Sequence, residues 1–206
     1  MSSVRVKICG ITRSEDLVVA VEAGADAAGF VFAERSKRRL DTGQAKKLAR
    51  QVPAFVSRVG LFLDQEADFV AGVLERVPLT LLQFHGNEDA AFCRQFGLPY
   101  MKAVAMDGDL AVGTAAADFP DAAALLLDSH NPGGLGGTGT TFDWSLAMAV
   151  PVPLVLAGGL TPENVRRAIA QVRPWGVDVS SGVEDEPGIK NPDRMRQFIK
   201  EAKREY

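Results

Sequence analysis

Cysteine is almost absent from this 206-residue chain: only Cys9 and Cys93 occur. They lie far apart, outside any metal-ligand spacing, and too few to build a disulfide framework. The opening Met1-Ser2-Ser3-Val4-Arg5 lacks the apolar core of a secretory signal, and no apolar run reaches membrane-spanning length. A reduced, cytoplasmic protein without a membrane partner is expected. A surplus of positive charge is missing too. Lys and Arg number 23 against 26 Asp and Glu, a net charge of −3, so no basic field exists to hold a nucleic acid. One phosphate group needs no such field, because backbone N–H groups hold it. Linkers, charge blocks and low-complexity segments are also lacking, which leaves one domain over residues 1–206 with a sizeable core.

What is present begins with Val6-Lys7-Ile8-Cys9-Gly10-Ile11-Thr12. As a strand it alternates, with Val4, Val6 and Ile8 on one face and Arg5, Lys7 and Cys9 on the other. Gly10 breaks it directly after Cys9. From there strand-like and helix-like segments alternate to the end. Strands are expected over residues 4–9, 27–32, 55–62, 79–85, 100–104, 122–128, 153–157 and 175–179. Helices follow them from 14, 42, 66, 88, 109, 143, 161 and 191, and a glycine-rich loop, a connector or a lid, fills 131–140.

Eight βα units of roughly 25 residues, several with strands too apolar for a one-sided sheet, point to a closed (β/α)₈ barrel. A doubly wound sheet competes less well: it uses fewer strands and a glycine-rich first turn, which Gly10-Ile11-Thr12 is not.

In such a barrel the chemistry gathers at the C-terminal ends of the strands. Those ends carry Cys9, the basic run Arg35-Ser36-Lys37-Arg38-Arg39, His85, Asp128, Gly158-Gly159 and Ser180-Ser181-Gly182. The loops after the seventh and eighth strands are the recurrent phosphate site of this fold. Gly158 and Gly159 allow close backbone approach, Thr161 with Pro162 opens the next helix, and Ser180-Ser181-Gly182 suits an extra helical turn. Asp128 closes an aliphatic strand, where partial desolvation suits a carboxyl to holding a proton. A lone cysteine is most often a small buried hydrophobe, but Cys9 stands at a strand end. The arginine run is a solvated loop or a carboxylate clamp. Counting back in twos from the rim, Cys9 puts Lys7 inward and Ser180 puts Asp178 inward. The first and eighth strands are neighbours in a closed barrel, so a buried Lys7–Asp178 ion pair is expected.

Taken together, these stretches resemble the phosphoribosylanthranilate isomerase family of tryptophan biosynthesis. The match runs through Val6-Lys7-Ile8-Cys9-Gly10-Ile11-Thr12, Gly29-Phe30-Val31-Phe32 with Ser36-Lys37-Arg38, Gln83-Phe84-His85-Gly86 and Leu126-Leu127-Asp128. It continues in Gly136-Gly137-Thr138-Gly139 with Thr141-Phe142-Asp143-Trp144, in Ala157-Gly158-Gly159-Leu160 with Pro162-Glu163-Asn164-Val165, and in Asp178-Val179-Ser180-Ser181-Gly182-Val183-Glu184. The resemblance implies an Amadori rearrangement of a small phosphorylated substrate, needing neither metal nor cofactor. It implies Cys9 as general base, Asp128 as general acid and Arg38 at the anthranilate carboxylate. Lys7, His85, Asp178, Gly158, Gly159, Ser180, Ser181 and Gly182 complete the expected substrate contacts, in a monomer or a homodimer. Two other readings stand beside this one: the histidine-pathway aldose isomerase, which runs the same rearrangement on another amine, and a non-catalytic phosphate-binding module.

Overall fold

The computed structural model describes residues 4–105, 111–128 and 151–204. Eight parallel strands close into a barrel in sequence order: β1 (Arg5–Cys9), β2 (Ala27–Val31), β3 (Ser57–Phe62), β4 (Leu81–Phe84), β5 (Tyr100–Ala105), β6 (Ala124–Asp128), β7 (Leu154–Leu156) and β8 (Gly176–Val179). The ring shuts where β8 pairs with β1, with Lys7 opposite Asp178. Around it lie α1 (Ser14–Glu22), α2 (Thr42–Ala49), α3 (Ala67–Leu74), α4 (Ala90–Arg94), α5 (Ala111–Asp118), α6 (Val165–Val172) and α7 (Pro192–Lys203). The expected (β/α)₈ architecture is therefore the observed one.

Strand alternation sorts the apolar residues into two cores. Val6, Ile8, Ala28, Phe30, Leu82, Phe84, Leu125, Leu127, Val177 and Val179 face outward into the layer shared with the helices. The inward residues form a smaller cluster of Val59, Met101, Ala124, Leu126, Val155 and Ala157. Above it, Cys9 packs with Val31 and Ala33 at the mouth. The interior is thus a filled core with chemistry only at its upper end.

Local signals explain the element ends. Asp41 caps α2 in a capping box with Gln44, and Asn191 caps α7 ahead of Pro192. Gly24, at φ +96°, stops α1 as its sequence position suggests. Other boundaries move inward from those expected. β3 starts at Ser57 rather than 55, because the Val56 N–H bonds back to Pro53 O and closes a turn that leaves Phe55 fully exposed. α4 begins at Ala90, since Asp89 caps it and the Glu88 side chain is committed to the backbone of Asp64 and Gly86. The expected loop at 131–140 and helix from 143 lie outside the described residues. An antiparallel ribbon that no sequence signal announced, β9 (Glu184–Glu186) with β10 (Ile189–Lys190), follows the eighth strand. Cys9 and Cys93 are both buried and unbridged. No helix among the described residues is long and apolar enough to cross a membrane.

Leu126 is fully buried at the centre of the interior cluster. Leu126→Ala should cost about 2–5 kcal/mol, the range for a cavity in a core that collapses poorly, read as a lower midpoint in urea unfolding. A loss under about 1 kcal/mol would mean that the barrel interior repacks freely.

Candidate active site

At the C-terminal end of the strands the side chains enclose a cavity of about 740 Å³, counted out to open solvent. Cys9 from β1, His85 after β4, Asp128 from β6 and Asp178 from β8 line it, together with Arg38, Gly158, Gly159, Ser180, Ser181 and Gly182. Of the expected site residues, only Lys7 does not line this cavity. It lies one layer below and reaches the site through Asp178.

Lys7 and Asp178 face each other across the seam, Nζ to Oδ2 at 2.9 Å, both almost fully buried. The ion pair expected from parity is present. Burial alone would push the Lys7 ammonium down, but Asp178, followed by Cys9, outweighs it and holds its pKa above the usual lysine value. Room for the pair comes from Gly29, opposite Cys9 on β2. A Cβ there would sit 3.0 Å from Cys9 Sγ and 3.1 Å from Lys7 Cε.

Burial drives the Cys9 thiol up from its ordinary value, and Asp178 adds to that rise. Lys7 and, more weakly, Lys190 oppose it. The free protein therefore holds a protonated thiol at neutral pH. On the other side of the cavity, His85 Nε2 stands 3.3 Å from Asp128 Oδ2. Its Nδ1 meets the Gln83 amide nitrogen at 3.2 Å, which leaves the imidazole proton on the nitrogen facing Asp128. Two acceptors at this depth, Gln83 Oε1 and Asp178 Oδ1, are buried with no partner among the described residues.

The loops after β7 and β8 interlock. Gly158 and Gly159 take φ of +76° and +62°, a region in which any other residue would be strained. Gly182 lies so close to Leu160 that a Cβ would overlap its carbonyl oxygen. Ser181–Val183 forms the extra helical turn expected there. The helix expected from Thr161 starts instead at Val165. Asn164 folds its side chain back, accepting from Thr161 N–H at 2.8 Å and donating to Gly159 O at 2.9 Å, so residues 161–164 brace the glycine loop.

Of the arginine run, Arg38 enters the cavity while Arg35 and Arg39 stay exposed. Arg38 is already gripped bidentately by Glu184, at 2.8 and 2.6 Å. Behind that carboxylate, the fully buried Lys190 ammonium bonds Glu184 Oε1 at 2.8 Å and Ser180 O at 3.1 Å. Among the described residues, no cluster of His, Cys, Asp and Glu is suited to a metal ion.

The family model for N-(5'-phosphoribosyl)anthranilate isomerase matches residues 6–201. The chain belongs to that family. A curated relative of that name from Thiobacillus denitrificans is 53% identical over 202 residues, 98% of each chain. The crystal structure of the Thermotoga maritima phosphoribosyl anthranilate isomerase is 45% identical, with a TM-score of 0.88 over 97% of this chain and 98% of its own. A phosphoribosyl anthranilate isomerase solved with reduced 1-(o-carboxyphenylamino)-1-deoxyribulose 5-phosphate gives 43% and 0.85 over the same shares. Membership brings the isomerase step of tryptophan biosynthesis and decides among the three readings weighed on sequence.

Three residues at or directly behind the cavity wall escaped the sequence reading as individuals: Gln83, Glu184 and Lys190. Gln83 shares the inward parity of His85, which was the available signal. Lys190 had none, since its place depends on the β9–β10 ribbon.

Glu184 titrates below the usual carboxylate range. Burial would raise it, but the Arg38 hydrogen bonds and Lys190 outweigh that. Asp26 is lowered likewise: burial would raise it, and Lys203, the Val6 N–H and Arg5 outweigh that. Folded values below the unfolded ones give stability that is complete above the unfolded pKa and lost as pH falls through the folded one. Urea unfolding should therefore show stability falling from about pH 5 downward. Glu184→Gln should flatten that fall; an unchanged acid slope in this variant would show that Glu184 is not a source of the acid sensitivity.

Proposed function

We propose that this chain performs the family's isomerisation, the Amadori rearrangement of N-(5'-phosphoribosyl)anthranilate, with Asp128 as general acid and Cys9 as general base. The observation that carries the reading is that a thiol and a carboxyl, from strands three apart round the ring, line one cavity between an arginine and a pair of glycine loops.

The substrate spans the mouth. Its phosphate lies on the loops after β7 and β8, whose glycines let backbone N–H groups approach it closely. Its carboxylate meets Arg38, whose planar fork suits it. Asp178 Oδ1, buried without a partner among the described residues, accepts from the anthranilate amine, and Gln83 Oε1 offers a second acceptor to a sugar hydroxyl. His85 holds Asp128 at the ring oxygen.

Asp128 gives its proton to the furanose ring oxygen as the C1′–O bond breaks, producing a protonated Schiff base. Cys9, having lost its own proton to solvent as positive charge develops beside it, removes the proton on C2′ as thiolate, and the electron pair moves into an enolamine. Protonation at C1′ and loss of the C2′ hydroxyl proton then give the ketone. Proton balance closes when Asp128 regains a proton from solvent, Cys9 being again a thiol, so the step is a redox-neutral isomerisation. Lys7 stabilises the thiolate from below, and the cationic Schiff base adds a second charge beside it. The protein works on a small phosphorylated metabolite in the cytoplasm.

Cys9→Ala and Asp128→Asn should each lower kcat at least about 100-fold while leaving the fold intact, since both changes are small and at the rim. Near-normal turnover by either variant would remove that residue from the chemistry. Alkylation by iodoacetamide gives a separate check. Cys93 is fully buried and pushed up to about 12, so labelling reports Cys9. Its rate should climb with pH through and beyond 9, the ordinary thiol value. A rate already level at neutral pH would mean a preformed thiolate.

A further inference from the structure

Lys190 is a buried ionisable group that the mechanism leaves unused. Its side chain is 0% exposed, held on a two-residue strand beyond the barrel. Its ammonium contacts Glu184 Oε1 (2.8 Å), Ser180 O (3.1 Å) and Ser180 Oγ (3.4 Å), and its backbone N–H bonds Asp16. Burying an ammonium is expensive unless charge partners offset it. Glu184 does not need this one. Arg38 already neutralises it through Nε and Nη2, and Gly188 N–H adds a further bond at 3.2 Å.

Counting charge clarifies the placement. Arg38 and Lys190 are two positive charges and Glu184 one negative, a net of one positive at the cavity wall. Of the neighbouring groups, Lys7 with Asp178 is neutral, and Arg13 neutralises the buried Asp16 while also meeting the exposed Glu15, so neither adds positive charge. Without Lys190 the arginine beside the cavity would belong to a neutral, self-satisfied pair with little attraction for an anion. Glu184 fixes the guanidinium from one edge, and Nη1 has no protein partner among the described residues. We propose that Lys190 is a positioning residue for substrate recognition: it supplies the surplus charge that lets the Glu184-bound Arg38 accept a carboxylate. This deepens the functional reading above and rests on its assignment of Arg38 to the anthranilate carboxylate. It also explains why Arg38 serves although it is already bidentately bound. The pair is a rigid mount, and the charge that attracts ligand comes from behind it.

Anthranilate and inorganic phosphate, tested as competitive inhibitors, report the two ends of the site separately. Lys190→Met keeps the side-chain volume and removes the charge. It should weaken anthranilate inhibition about tenfold or more and raise KM for phosphoribosylanthranilate similarly, a larger loss than that of kcat or of phosphate inhibition. The double variant Lys190→Met with Glu184→Gln restores a net single positive charge and should recover most of the loss. A purely structural Lys190 predicts the opposite, the double variant being as weak as the single one or weaker. That result, or unchanged anthranilate inhibition in Lys190→Met, overturns the proposal. Should Lys190→Met not fold, Glu184→Gln alone decides: anthranilate inhibition kept or strengthened supports the charge count, and a tenfold weakening overturns it. Arg38→Ala separates the two levels. If it leaves anthranilate inhibition unchanged, the carboxylate assignment itself has failed, whatever Lys190 does.

Discussion

One buried ion pair sets the terms for the rest of the barrel. Lys7 and Asp178 meet at 2.9 Å across the seam that joins the barrel's first strand to its eighth. Either charge alone would be costly in that interior, so the pair ties the register of β8 on β1 to an electrostatic requirement as well as to hydrogen bonds. A slip of one residue would turn Lys7 into the apolar helix layer and bring Val6 or Ile8 inside. The same register fixes what stands above the pair. Cys9 is two residues up β1, Ser180 two residues up from Asp178, and Gly29 leaves the space in which both side chains of β1 lie.

Above that layer the mouth is built from coupled charges. Lys7 with Asp178 is a closed pair, His85 lies against Asp128, and Glu184 is shared by Arg38 and Lys190, which leaves one positive charge at the wall. The net field at the mouth is therefore small and local. The proposed recognition relies on local arrangement: glycine backbone at one end, a mounted arginine at the other and two buried acceptors between them. Those acceptors lose hydration on folding and gain no donor among the described residues, a cost that a ligand with an amine and hydroxyls offsets.

The fold was legible because strand alternation and strand ends are one-dimensional properties. Parity along β1 and β8 was enough to put Lys7 and Asp178 face to face, and the residue ending each strand was enough to collect Cys9, His85 and Asp128. Legibility stopped where position depends on side chains folding back on backbone. Asn164 delays α6 by bracing Gly159, and no helix-start rule contains that contact. Lys190 reaches the site through a ribbon whose strands are two and three residues long, too short for periodicity to register. Arg38 was singled out from Arg35 and Arg39 by resemblance; its physical distinction, the grip of Glu184 from 146 positions away, is a long-range contact.

The central claim divides the labour between two residues, and a deuterium label at C2′ of the substrate tests that division most directly. The slowing caused by the label should be compared in Cys9→Ser, where the base is weak, and Asp128→Asn, where the acid is gone. If Cys9 removes the C2′ proton, its weakened variant makes that step limiting and shows a clear isotope effect, while Asp128→Asn, limited by ring opening, shows none. An isotope effect in Asp128→Asn and none in Cys9→Ser would contradict the account.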